Sequence, residues 1–286
     1  MCTACMSTVL HEEWRRYDHA MFELLSTKGF QIEFESHARA ILAADFPTAV
    51  GELEDALASA TVPIEEIVAG GGGEAKGTQR LRRALTAKGW KKTIFRVEKR
   101  INDVPRESQS HEVDHVRAFT VDGRTYRIAL EIEWNNKDPF FDRDLENFKR
   151  LHADGAISLG IIVTRGRSLH QNMRTLVARF VDERGIQGFD DIESWGYTPT
   201  RRQKVEIERR MARSTSATPF RDAFTAVFVA DKFGEATTHW AKLSDRIRRG
   251  VGNPCPLVLV GLPDTMVTFH EGSAALKGLE VCQDGP

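Results

Sequence analysis

The dipeptide Asp122-Gly123 stands between two runs of alternating apolar and polar residues, "HEVDHVRAFTV" and "RTYRIALEIEW". Asp-Gly suits a two-residue primed turn, where both central positions need positive φ, so the stretch predicts a β-hairpin. A two-residue loop also fixes the register, with Val121 opposite Arg124 and every other pair following from it. Asp114 then falls opposite Glu131, and Glu112 opposite Glu133. Directly opposed residues project to the same face with Cβ atoms about 5 Å apart, where like charges destabilise a sheet.

Two readings of these acids stand side by side. In one, a divalent cation sits between Asp114 and Glu131, with the Ile132 carbonyl as a further oxygen donor and Glu133 beside it to orient or deprotonate water. In the other, the acids line a solvent-exposed sheet face and pair with Arg117, Arg127 or Lys137.

The segments around the hairpin extend the pattern. "FDRDLENFKRLHADG" predicts a helix with Leu145, Phe148 and Leu151 apolar, acids early and bases late as the helix dipole prefers. "AISLGIIVT" predicts a buried strand. Strand, helix and apolar strand form a crossover unit, which implies an α/β fold: a central mixed β-sheet flanked by helices. Before it, the first ninety residues or so read as mostly helical, with a short strand at "FQIEFE" and Ser36 as a cap for the helix "HARAILAAD". "TTHWAKLSDRIRRG" predicts a later helix stopping at Gly250, and "NPCPLVLVGLP" a turn and a buried strand. The expected organisation is one domain over 1–286. It has a helical part at about 1–90, a catalytic sheet core at about 91–200, and helix and strand elements at about 201–286.

Composition excludes several classes. The chain is 41% hydrophobic and 28% charged, which is ordinary for a folded globular protein, and no apolar run is long enough for a membrane span. The N-terminus lacks the pattern of a secretory signal, so a cytoplasmic protein is expected. Cys2 and Cys5 form a lone CxxC that Cys255 and Cys282 do not complete as a zinc site. "AGGGGEAKGTQRLRRAL" ends in Ala-Lys-Gly-Thr, which breaks the Gly-Lys-Ser/Thr order of a phosphate-cradling loop and argues against an NTPase. The net charge of −1 conceals basic clusters. Arg80, Arg82, Arg83, Lys91 and Lys92 form one, and Arg201, Arg202 and Lys204 another. With Asn135, Asn136 and Lys137 these are the candidate DNA-contacting residues.

D-x16-E-x-E on a hairpin, followed by a helix and a buried strand, resembles the PD-(D/E)xK nuclease superfamily. "SHEVDHV" together with "ALEIEWNNKDPFFDRDLENFKRLHADGAI" is similar to the BglII/BstYI, BamHI-like group of type II restriction endonucleases. The resemblance implies a restriction-endonuclease-like core. It also implies Mg2+-dependent hydrolysis of double-stranded DNA at a short palindrome, leaving 5′-phosphate and 3′-hydroxyl ends. Asp114, Glu131 and Glu133 are then the catalytic residues, with Asp114, Glu131 and the Ile132 carbonyl on the metal, and Glu98 as an upstream acid approaching a second metal position. Glu133 stands where the wider superfamily has lysine, which leaves the base open; Lys137 is at the wrong spacing to replace it. A homodimer and a cognate DNA methyltransferase are the implied partners. A repair or nicking nuclease of the same fold, or a non-catalytic DNA-binding protein on a degenerate core, are the alternatives.

Overall fold

Asp122 and Gly123 take φ of +49° and +76°, the geometry of a primed turn, and they join β4 (Val104–Val121) to β5 (Arg124–Glu133). The structure, a computed structural model, describes residues 21–69, 74–213 and 218–269. Cys2, Cys5, Cys282, the glycines at 70–73 and the first half of the N-terminal helical segment fall outside the described residues. The β4–β5 register is the one the turn dictates, running from Val121 opposite Arg124 to His115 opposite Leu130. There the ladder ends. Glu112 is not paired with Glu133 but lies opposite Ile94 of β3 (Lys91–Ile101), in an antiparallel ribbon whose Asn102-Asp103 turn also has positive φ.

Described by itself, the first compact unit comprises residues 1–60, 78–170 and 236–265. Its six-stranded sheet adds β1 (Gln31–Glu35), β6 (Leu159–Arg165) and β7 (Leu257–Leu262) to the strands above, in the order β1-β7-β6-β5-β4-β3. β5, β6 and β7 run parallel and the outer pairings are antiparallel, so the expected mixed α/β sheet is what forms. It is wider than a core at 91–200, because β1 and β7 join it from either end of the chain. β6 and β7 are buried along their whole length, which is why β7 reads as an unbroken apolar run and β6 as one as far as Val163.

Helices in this unit are α1 (Glu23–Thr27), α2 (Ala38–Asp45), α3 (Pro47–Ala58), α6 (Phe140–Ala153) and α11 (Trp240–Arg248). They are joined by most of α5 (Lys76–Ala87), which presents Leu81 and Leu85 to the interior as its spacing predicts. Ser36 does not cap α2. Ser36 and His37 both adopt left-handed φ, and no side chain accepts the helix's first amides. α6 crosses back from β5 to β6, and Phe141, Leu145, Phe148 and Leu151 enter one core with Ala129, Ile162, Leu257, Trp240 and Leu243. The Phe148 ring lies so close over Gly160 that a Cβ there would overlap it, which explains a glycine in the middle of β6.

The second unit comprises residues 61–77, 171–235 and 266–286. Its elements are the parallel pair β2 (Val62–Pro63) and β8 (Val267–Thr268), and helices α4 (Ile64–Ala69), α8 (Phe189–Ser194), α9 (Arg201–Met211) and α10 (Phe220–Phe233). The greater part of α7 (Arg167–Glu183) completes it. No helix among the described residues is long and apolar enough to cross a membrane.

Candidate active site

Ala129, Glu131 and Glu133 share one face of β5, and Ala129 lies in the α6 core. α6 therefore covers the face that carries both glutamates. Glu131 and Glu133 are 6% and 3% exposed, so they do not line an open sheet surface. Arg117, one of the cations an exposed face would have used, is instead taken by Glu52 at 2.8 Å.

Asp114, beside the last pair of the β4–β5 ladder, donates its amide to Glu131 Oε1 at 3.3 Å. Its own carboxylate is half exposed and faces Lys92 Nζ at 3.8 Å, while that ammonium holds Glu112 at 2.6 Å. Ile132 stands between the glutamates, opposite Val163 of β6. Glu133 is fixed on three sides. Thr164 Oγ1 donates to its carbonyl at 2.7 Å, Asn136 Nδ2 donates to Oε2 at 2.6 Å, and Arg143 Nη2 lies 3.8 Å from Oε1. Arg165, buried at the end of β6, donates to the Trp134 carbonyl at 2.9 Å and to the Thr238 carbonyl at 2.8 Å, tying down the turn that follows Glu133.

A further acid enters from α6. Asp144 is 2% exposed and lies on the same helical stripe as Phe141, Leu145 and Phe148. Its Oδ1 accepts from Arg143 Nε and Nη2, both at 2.8 Å, while Oδ2 is buried without a hydrogen-bond donor. By sequence alone Asp144 is one of the early acids of this helix that suit its dipole. Its place at i+3 from Phe141 and i−4 from Phe148 was the signal that it faces inward.

Electrostatics follow from this crowding. Burial, then Asp144 and Asp114, push the Glu131 carboxyl up to about 9. Burial and Asp144 likewise raise Glu133, and burial raises Asp144 against the pull of Arg143. Hydrogen bonding to Glu112 raises Lys92. Buried carboxylates that repel one another, with few cations among them, offer the oxygen ligands that hard cations take. Among the described residues no three of these acids bring their oxygens within 4.8 Å of one another; Asp114 is turned toward Lys92 and Arg143 reaches between Glu133 and Asp144.

The structure does not bring Glu98 to the cluster. Glu98 pairs with Ser108, six residues along β4 from Asp114, or about 20 Å at strand rise. The β3–β4 ribbon runs on past the end of the β4–β5 ladder and carries Glu98 with it, so this structure does not place Glu98 beside the other acids. Of the expected DNA contacts, Lys92 and Asn136 are engaged with the acids, and Lys91 opens β3 opposite Val116. Asn135 lies in the turn after β5, and the Lys137 backbone bridges to Thr237. Arg80, Arg82 and Arg83 lie on α5, the last two exposed. In the second unit Arg201 opens α9 and is exposed, Arg202 pairs with Asp231 at 2.7 Å, and Lys204 pairs with Glu193 at 2.7 Å.

A family model described as restriction endonuclease BglII/BglIII matches residues 30–262. No curated protein matches the sequence.

Proposed function

Given that this chain belongs to the restriction endonuclease BglII/BglIII family, and so is a DNA endonuclease acting on double-stranded DNA, we propose that its active site is the acid cluster of β4, β5 and α6. The observation that carries the proposal is the buried Glu131, bonded across the hairpin to the Asp114 amide on the face that also carries the buried Glu133.

In this reading Asp114, Glu131 and the Ile132 carbonyl hold a Mg2+ ion, which supplies charge stabilisation at the phosphate and the leaving oxygen when bound. Glu133 accepts the proton of the attacking water. Asn136 and Thr164 keep its carboxylate and backbone in place for that transfer, and Arg165 holds the following turn. α6 excludes water from the covered face, so the acids act in a medium of low polarity. Hydrolysis leaves 5′-phosphate and 3′-hydroxyl ends. The chain works as a homodimer on a short palindrome, since a twofold protein matches a twofold site, and a methyltransferase of the same specificity protects the host DNA.

The test is to incubate the protein with unmethylated phage DNA and Mg2+, beside Glu131→Ala. Discrete fragments from the wild type alone, with sequence-selective binding retained by the variant, are expected. Full cleavage by Glu131→Ala would overturn the assignment of the site.

A further inference from the structure

We propose that Asp144 is a metal-ligating residue, which together with Glu133 forms a second divalent-cation position beside the one held by Asp114 and Glu131. The inference rests on the nuclease reading above and adds a ligand that lies outside the hairpin motif, eleven residues beyond Glu133 on the next helix.

The first support is position. Asp144 occupies a core-facing place on α6, where Phe141, Leu145, Phe148 and Leu151 line the same stripe. A leucine there would pack as its neighbours do. A carboxylate there is costly unless a cation or hydrogen bonds compensate. Arg143 compensates only one oxygen: both of its contacts go to Oδ1, and Oδ2 is buried with no donor. The Glu133 and Asp144 carboxyls are close enough to share a hydrogen bond when one of them holds a proton.

The second support is charge. The carboxylates of Asp114, Glu131, Glu133 and Asp144 outnumber the cationic groups among them, Lys92 and Arg143, and Lys92 is shared with Glu112. Once a bound cation draws off their protons the excess is negative, and the carboxylate donor set is all oxygen, which selects a hard cation such as Mg2+ or Mn2+. Two carboxylates with water completing the shell is an ordinary arrangement for such an ion. Arg143 bridges the two acids in the place of that ion, 2.8 Å from Asp144 and 3.8 Å from Glu133. Its side chain is 55% exposed and its guanidinium lies 4.4 Å from the Phe140 ring centroid, so it has room to move aside. Glu98, the acid expected at this second position, is held away on the β3–β4 ribbon.

The experiment is a Mn2+ titration without DNA, read by electron paramagnetic resonance of the free ion, on wild type, Asp144→Asn and Glu131→Gln. Thermal melts in a chelator accompany it. Asparagine keeps the shape and the Arg143 contact but removes the charge. Asp144→Asn should bind one fewer Mn2+ per chain, or bind it about tenfold more weakly or worse. It should melt in chelator no lower than wild type, because a buried anion has gone. Unchanged Mn2+ binding by Asp144→Asn, with loss in Glu131→Gln, would overturn the role of Asp144 and leave the nuclease site standing. A lower melting temperature with unchanged Mn2+ binding would show that Asp144 only anchors Arg143. Wild-type protein that takes up no Mn2+ would overturn both readings. If Asp144→Asn does not fold, Asp144→Leu, matched to the apolar stripe, gives the same count.

Discussion

Raising the pH from about 6 to about 8 in the presence of a chelator should weaken the folded state, and a divalent cation should cancel that loss. In the metal-free protein the Glu131 carboxyl is pushed up to about 9 from an ordinary 4.5, by burial first and by Asp144 and Asp114 next. A carboxyl raised in this way contributes stability that is fully present below its unfolded pKa and is lost as pH rises through its folded one. Over this window folded Glu131 keeps its proton while the unfolded chain has released it, so folding takes up a proton. Each such group lowers stability by about 1.4 kcal/mol per pH unit, which gives roughly 3 kcal/mol for Glu131 alone. That figure is a ceiling, since water at the half-exposed Asp114 screens part of the repulsion. Glu133 moves in the same direction and adds to the loss. The assay is urea unfolding followed by tryptophan fluorescence at both pH values, in chelator and again with about 10 mM Mg2+. Binding of the cation favours the ionised acids and releases their protons, so the slope should flatten or reverse. Stability that rises with pH in chelator, or an identical fall with Mg2+ present, would refute the reasoning.

Two further substitutions probe what holds the site in place. Glu52 on α3 accepts from Arg117 of β4 at 2.8 and 3.1 Å and from Trp90 Nε1 at 2.9 Å, so Glu52→Ala takes the carboxylate from a partly buried guanidinium and the acceptor from an indole N–H. A loss of about 3–5 kcal/mol in chemical unfolding is expected, and a loss under about 1 kcal/mol would show that the pair does not anchor β4. Gly160→Ala should cost about 1–3 kcal/mol or more, because the new methyl meets the buried Phe148 ring. Phe148→Leu in the same chain should recover part of that loss, and strictly additive effects in the double variant would deny the contact.

The central crossover was legible because its signals are local. A primed-turn dipeptide, alternation on both sides and an apolar run after an amphipathic helix decide β4, β5, α6 and β6 with little help from the rest of the chain. β1 and β7 were readable as strands but not as sheet neighbours. Gln31 pairs with Gly261, and nothing within either segment names a partner at that separation. The Ser36 cap failed for a similar reason: the chain turns through two left-handed residues to set α2 against β1 and β7, and that demand overrides a favourable capping residue.

At the site, the turn chemistry carried the reading as far as Asp114 and Glu131 and no further. Past His115 the β4 ladder changes partner, so Glu112 goes to Lys92, and Glu98 is set by the Asn102-Asp103 turn rather than by any need of the cluster. Asp144 was hidden by an explanation that was correct in general and wrong in place, since an early acid does suit a helix dipole but has no need to face inward. Along this stretch the helix and the strand match each other: Leu145 and Phe148 share a core with Ala129, and Asp144 meets Glu133. The apolar half of that match stabilises the fold. The acidic half opposes it, since burial raises all three carboxyls, Asp144 raises both glutamates, and a leucine at 144 would fit the same stripe. A cost of this kind at a single face of an otherwise apolar core is what a cation-dependent site requires, because the ion's affinity comes from the same uncompensated charge.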